Sequence, residues 1–250
     1  MVLGGNVKFN HPSVVHHDLP VANYALSNEN PMTIVVASDL HLGYGLGRKH
    51  AERYVAFINA QKPDLILLCG DLIDSDMKAV WEERMYQPLT QLKATQGVYA
   101  TLGNHEYYTG KLAEVEQFYT ESHIHLLRDT VVLLNDALYL IGRDDATNKK
   151  RHALSQLMEG LDTTKAVIVM DHQPSHIQES IDNKVDLQVS GHTHAGQVWP
   201  INWLVNQIFK VGYGYQLYER TQVLVTSGLG IWGGHFRIGT QSEIVVLHLR

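Results

Sequence analysis

A chain of 250 residues, 44% hydrophobic and 18% charged, is long enough to bury a substantial core as one large domain or two small ones. Lys+Arg 20 against Asp+Glu 26 gives a net charge of −6 with no basic run, which excludes the electrostatic footprint of a duplex DNA or RNA binder. A single cysteine excludes an internal disulfide framework, and no stretch approaches the roughly 20 apolar residues of a membrane-spanning helix.

Residues 1–31 begin abruptly: Met1-Val2-Leu3-Gly4-Gly5 leads into a polar, His-rich segment with no helical period. They are read as an N-terminal extension, or a strand packing on a single domain over 32–250. No charged and apolar leader opens the chain, so it is expected to be soluble as given. The excised domain of a membrane-anchored protein, from the cytoplasmic face or the cell envelope, would begin this way, and so would a short native terminus.

From Met32 onward apolar runs alternate with amphipathic stretches. Thr33 to Ala37 reads as a buried strand, and Arg48 to Ala60 as a helix with Tyr54, Phe57 and Ile58 inward. Asp64 to Cys69 is the next strand, which makes Cys69 a buried thiol rather than a nucleophile. Met77 to Lys93 reads as helix interrupted by Pro88, followed by strand Val98 to Leu102 and helix Gly110 to Thr120. Strands Val131 to Leu134 and Leu138 to Ile141, a helix near His152 to Met158, and strand Ala166 to Met170 complete a βαβα pattern. Such a pattern predicts a largely parallel sheet covered by helices. After His194 strands and turns take over, with Gln222 to Thr226 and Glu243 to Leu249 separated by glycines.

Polar fragments stand where these strands end, the place where open α/β sheets bind ligands. They are Asp39-Leu40-His41, Gly70-Asp71-Leu72-Ile73-Asp74, Gly103-Asn104-His105-Glu106, Asp171-His172 and Gly191-His192-Thr193-His194. Alternation in Asp39-x-His41 would point both side chains to one face of an extended segment. Gly70 and Gly103 permit sharp turns and close approach. The mixture of carboxylate, imidazole and amide oxygen suits Mn, Fe or Zn better than Ca or a thiolate-seeking metal. Singly, Asp39, Asp71 and Asn104 would be read as strand-end caps or turn residues. Most of the 15 histidines fall outside these fragments and are expected to be solvated or satisfied in the core.

Taken in order, D-x-H, G-D-x-x-D, G-N-H-E, a lone His after a strand, and G-H-x-H resemble the calcineurin-like metallophosphoesterase family over roughly Met32 to Arg250. The resemblance implies an α/β fold, a four-layer αββα sandwich of two mixed β-sheets flanked by helices. It implies a dinuclear centre: Asp39, His41 and His194 on one divalent ion, Asn104, His172 and His192 on a second, and Asp71 bridging both. The implied activity is hydrolysis of a phosphomonoester, phosphodiester or pyrophosphate by a hydroxide bridging the two ions. His105 is then the proton donor to the leaving alkoxide, with Asp74 orienting its imidazole. Glu106 is read as a supporting residue or helix cap.

Arg48, after a Gly-rich turn, and Arg237 are candidate contacts to a substrate phosphate; for Arg48 a solvated helix start is at least as good a reading, and Arg237 is balanced in the same way. Trp199 and Trp203 belong to the nearly uncharged segment Val198 to Phe209, which begins four residues after His194. A helix packed on the core is the favoured reading of that segment; contact with lipid or an acyl chain is the functional one. Gly191 to Gln197 followed by Trp-Pro, with Ser227 to Gly233 and Arg237-Ile238-Gly239, resembles the family's membrane-associated branch. That branch includes lipid-A-pathway UDP-diacylglucosamine hydrolases and cell-wall-associated phosphoesterases. Ala195, where glycine is usual, and Gly234-His235, near a usual proline, depart from it. The resemblance makes a lipid-linked substrate and peripheral membrane contact expectations. A nuclease of the same fold, a non-catalytic metal-binding scaffold and a lipid-interface binding module are the competing readings; no nucleic-acid partner is expected.

Overall fold

The computed structural model describes residues 2–21, 24 and 32–250; Met1 and the rest of the 1–31 extension lie outside the described residues. Runs of aliphatic and β-branched residues form strands β1 (Ser13–Leu19), β2 (Met32–Ala37), β3 (Leu65–Cys69), β4 (Val98–Thr101), β5 (His125–Leu126), β6 (Thr130–Leu134), β7 (Leu138–Gly142), β8 (Ala166–Met170), β9 (Leu187–Ser190), β10 (Gly214–Tyr218), β11 (Thr221–Val225) and β12 (Glu243–Leu249). They build two six-stranded sheets, ordered β1-β12-β2-β3-β4-β5 and β10-β11-β9-β8-β7-β6. Both are mixed. Strands β2 to β5 are parallel, and β12 is antiparallel to β2; in the second sheet β7, β8, β9 and β11 are parallel, with β6 and β10 antiparallel at the edges.

Period-two alternation sorts the strand side chains between two faces. Ile34, Val36, Leu65, Leu67 and Cys69 of the first sheet pack against Leu138, Leu140, Ile168, Met170, Leu187 and Val189 of the second, forming the layer between the sheets. Their neighbours Val35, Ile66, Leu68 and Ala100 face outward onto Ala51, Tyr54, Val55, Ile58 and Phe118 of the covering helices. On the far side Ile141, Val167 and Val169 meet Leu154 and Leu157, while Val223 and Val225 meet Ile177 and Ile181. The architecture is therefore the αββα sandwich of two mixed sheets.

Some local expectations are corrected. The segment without helical period contains helix Val2–Asn10 and then β1, which pairs in register with β12 from Ser13↔Glu243 to Leu19↔Leu249. Tertiary contacts hold that helix instead of an amphipathic stripe: Phe9 is buried between the rings of His50 and His235, and Arg53 donates to the Asn10 carbonyl at 2.7 Å. The helical region after Met77 breaks at Arg84 (φ 48°) rather than at Pro88, leaving helices Met77–Glu82 and Tyr86–Leu89. Pro88 lies in the first turn of the second helix, where its missing N–H has no intrahelical partner to lose.

Helix Ile201–Ile208 is not packed on the core along its length: Val205 is its one buried residue, while Trp203 and Ile208 are each 65% exposed. The chain leading into it leaves the His194 turn through a left-handed Gln197 and ties Trp199 N to the Ile238 carbonyl, which turns the apolar face outward. Among the described residues no helix is long and apolar enough to cross a membrane.

Candidate metal centre and active site

The carboxyl ends of β2, β3, β4, β8 and β9 point to the same end of the sandwich, so fragments far apart in sequence converge there. β2 delivers Asp39 and His41, β3 Asp71, β4 Asn104, β8 His172, and β9 His192 and His194. The first two loops are laced together: Asp39 N donates to the Gly70 carbonyl and His41 N to the Asp71 carbonyl, both at 3.0 Å. Strand alternation does not bring Asp39 and His41 together, contrary to the sequence reading. β2 ends at Ala37, and both residues are left-handed, at φ 57° and 48°. Asp71 (52°), His192 (71°) and His194 (50°) share that conformation. Left-handed backbone costs a residue with a side chain about 1 kcal/mol or more, and such costs concentrate where geometry serves function.

The side chains form two groups around one carboxylate. In the first, His194 Nε2 lies 3.0 Å from His41 Nε2 and 3.4 Å from Asp39 Oδ1. In the second, Asn104 Oδ1 lies 2.8 Å from His192 Nδ1 and 3.2 Å from His172 Nε2. Asp71 Oδ2 stands between them, 3.9 Å from His41 Nε2 and 3.2 Å from His172 Nε2. Asp39–His41–His194 and Asp71–His172–His192 each gather donor atoms within the reach of one ion.

The donor set fits a pair of borderline divalent cations. Imidazole nitrogens and carboxylate oxygens, buried except at the half-buried His192, face one another across both groups, with an amide oxygen in the second. Burial lowers the His194 imidazole to about 3 and lowers His192 as well, leaving ring lone pairs free for a cation. For His172 burial works the same way, but Asp71 beside it outweighs burial and raises the imidazole well above its ordinary value. Burial alone would raise the Asp71 carboxyl; the His172 contact overrides it and holds Asp71 well below the usual carboxylate range. His172 Nδ1 donates to the Cys69 carbonyl at 2.7 Å, which fixes the ring and turns Nε2 toward Asp71 and Asn104.

Supporting groups set these positions. The buried Glu106 carboxylate accepts from Asp71 N at 3.0 Å, Ile73 N at 2.9 Å and Gly103 N at 2.7 Å, so it fastens the Asp71 loop to the Asn104 loop. Burial, then repulsion from Asp71, raises its carboxyl to about 7. A Cβ at Gly103 would overlap the Asp71 carboxylate, so only glycine lets the two loops approach. Behind His172, Asp171 accepts from Arg143 Nη1 at 3.1 Å and from both Arg151 amino groups at 3.0 and 3.3 Å. The sequence reading gave Arg143 and Arg151 no role; their distance from Asp171 along the chain hides the clamp.

His105 follows Asn104 at the start of helix Asn104–Tyr108. Its Nδ1 donates to the Asp74 carbonyl at 2.6 Å and lies 3.3 Å from Asp74 Oδ1. Burial would lower the His105 imidazole; the Asp74 contact outweighs it, so the ring holds its proton more firmly than a free histidine. Hydrogen bonds to His105 and His41 hold the Asp74 carboxyl well below its ordinary range.

A cavity of about 440 Å³ opens over these groups, lined by Asp71, Asp74, Asn104, His105, His192 and His194 together with Tyr108 and Trp232. A larger one, about 890 Å³, lies at the β5 edge among Tyr99, Tyr119, His125 and Arg128; it gathers none of the residues above, so chemistry rather than size locates the site. The phosphate-contact expectations for Arg48 and Arg237 are corrected. Arg48 is committed to Glu52, Gln87 and the carbonyls of Glu83 and Arg84. Arg237 is fully buried and donates to the carbonyls of His194, Ser227, Gly228 and Gly230; it braces the His194 turn from behind and offers no face to a substrate. Trp199 and Trp203 stand outside the cavity, exposed. Trp232, which the sequence reading cited only within the Ser227 to Gly233 tract and gave no role of its own, lines the cavity with Tyr108.

Residues 32–196 match the profile of the family described as calcineurin-like phosphoesterase. The chain is 32% identical to an uncharacterized metallophosphoesterase of Campylobacter jejuni, covering 96% of this chain and 63% of that protein. It is 32% identical to a transmembrane protein with metallophosphoesterase domain from Danio rerio, over 96% of this chain and 57% of that one. An uncharacterized metallophosphoesterase of Aquifex aeolicus is 30% identical over 93% of this chain and 92% of its own length. The chain thus spans less than two thirds of the first two relatives. A dimetal phosphatase from Danio rerio shares the fold with a TM-score of 0.52 at 11% identity, covering 88% of this chain and 99% of that one.

Proposed function

Because the chain belongs to the calcineurin-like phosphoesterase family, we propose that it is a metal-dependent hydrolase of a phosphomonoester, phosphodiester or pyrophosphate, acting in the cavity over Asp71. Asp39, His41 and His194 would hold one divalent ion, Asn104, His172 and His192 the other, and Asp71 both. The observation that carries the reading is the placement of Asp71 Oδ2 between two buried donor groups, within 3.9 Å of His41 and 3.2 Å of His172. When bound, such a pair of ions supplies Lewis-acid charge and an activated water for in-line displacement at phosphorus.

The chain's own groups do the rest. The Asp39 and Asp71 carboxylates are fixed by the backbone N–H groups of His192 and His105 before substrate arrives, so little is spent on reorganisation. His105, its Nδ1 engaged by the Asp74 carbonyl, has Nε2 available to give a proton to the leaving alkoxide. A lipid-linked ester is the finer reading, supported by relatives named as transmembrane proteins carrying this domain.

The test is a hydrolysis panel of a simple monoester, a diester and a UDP-linked lipid, each with Mn, Fe, Zn and Mg. Turnover of at least one substrate, abolished by chelation and restored by metal, is expected. No turnover with any of them at full metal occupancy would sink the hydrolase and favour a metal-binding scaffold.

A further inference from the structure

A second cleft of about 360 Å³ shares His192, His194 and Trp232 with the cavity over Asp71 and continues it toward Val198, Ile201 and Phe236. Among the described residues no carboxylate, ammonium or guanidinium lines this extension. Its two uncharged polar side chains are already engaged elsewhere. Thr193 Oγ1 donates to the Gly212 carbonyl at 2.7 Å; the Gln197 amide donates to the Trp232 carbonyl at 2.8 Å and accepts from Trp232 N at 3.1 Å. That paired contact also fixes the Trp232 backbone, so an indole 61% exposed stands at the junction of the two clefts. Between Asp186 and Glu243 the sequence has one acidic residue, Glu219, so little in this region repels a phosphate.

We infer that this extension binds the organic group of the phosphoester, and that the group is an aliphatic chain or similarly apolar body. The inference rests on the neighbouring cavity being the phosphoester site. A sugar or nucleobase needs hydrogen-bond partners along its edges, and the side chains that could supply them here are spent. An alkyl chain asks only for apolar surface, which Val198, Ile201, Phe236 and the face of Trp232 provide. Ile201, exposed at the start of helix Ile201–Ile208, joins the cleft to that helix's bare apolar face, the direction in which a longer chain would extend.

The test is calorimetric titration of the Mn-loaded protein with ethyl-, butyl-, hexyl- and octylphosphonate, which cannot be hydrolysed, and with uridine monophosphate. Kd is expected to fall about twofold per methylene, fourfold being the ceiling for a fully buried one. Trp232→Ala and Ile201→Ser are expected to flatten the dependence, while Leu133→Ser on the edge strand β6 preserves it. Alkylphosphonates that bind with a length-independent Kd would overturn the subsite and leave the phosphoesterase reading standing. A dependence unchanged in both cleft variants, or uridine monophosphate binding more tightly than octylphosphonate, would also overturn it. Failure of every phosphonate to bind would overturn the phosphoester site and the subsite with it.

Discussion

His41 Nε2 and His194 Nε2 lie 3.0 Å apart although 153 positions separate the residues. Two buried imidazoles brought this close, with the Asp39 carboxylate 3.4 Å from the second, make an arrangement that a shared cation stabilises and that neutral rings alone do not require. His194→Ala should therefore lose one of two bound ions by elemental analysis while the fold, read by circular dichroism, is kept. With several kcal/mol of charge stabilisation gone, turnover should fall by about 10³-fold or more. Full metal content in the variant would remove His194 from the centre.

His105→Ala should retain near-normal metal content and lose about 10²–10⁴-fold in turnover of an alkyl phosphoester, the range for a lost general acid. An ester with an activated leaving group should be spared, since it leaves without a proton. Asp74→Asn should cost less than His105→Ala, because the Asp74 main-chain carbonyl, at 2.6 Å, still holds Nδ1. Equal losses on both ester types would contradict the proton-donor role.

Gly103→Ala removes no chemical group, and at φ −110° alanine meets no backbone penalty. Its methyl would nevertheless enter the space of the Asp71 carboxylate. Displacing Asp71 should weaken metal binding about 10–100-fold in competition with a chelating dye, by analogy with losses of ligand-orienting contacts. Unchanged affinity would show that the two loops tolerate separation.

Asp171→Ala leaves Arg143 buried with Glu179 as its remaining carboxylate and Arg151 without the carboxylate it grips, holding only the Asp144 carbonyl. Breaking such a buried pair costs about 3–5 kcal/mol, which in a chain of this size lowers Tm by roughly 6–20 °C. A melt within 2 °C of wild type would show that the clamp contributes nothing.

The ligand types were legible because each follows a readable apolar strand, and parallel strands must deliver their carboxyl ends to one side. How Asp39 and His41 converge was not, since their left-handed backbone leaves no mark in an Asp-x-His triplet. The even weighing of Arg48 and Arg237 has a related cause: a cation near a motif is ambiguous until its partners are known, and most of theirs, the carbonyls of Glu83 and Arg84 for one and of His194, Ser227, Gly228 and Gly230 for the other, are announced by no sequence pattern. Trp232 is held at the cavity by the pairing of its backbone with the Gln197 side-chain amide across 35 positions, a relation that composition and periodicity do not carry. The helix Val2–Asn10 escaped notice because its contacts with His50, Arg53 and His235, rather than an apolar stripe, hold it.

Anomalous diffraction from a crystal of the Mn-loaded protein tests the dinuclear centre most directly. Two peaks are expected, one among Asp39, His41 and His194, the other among Asn104, His172 and His192, with Asp71 touching both. A single peak, or His192 and His194 on the same ion, would contradict it.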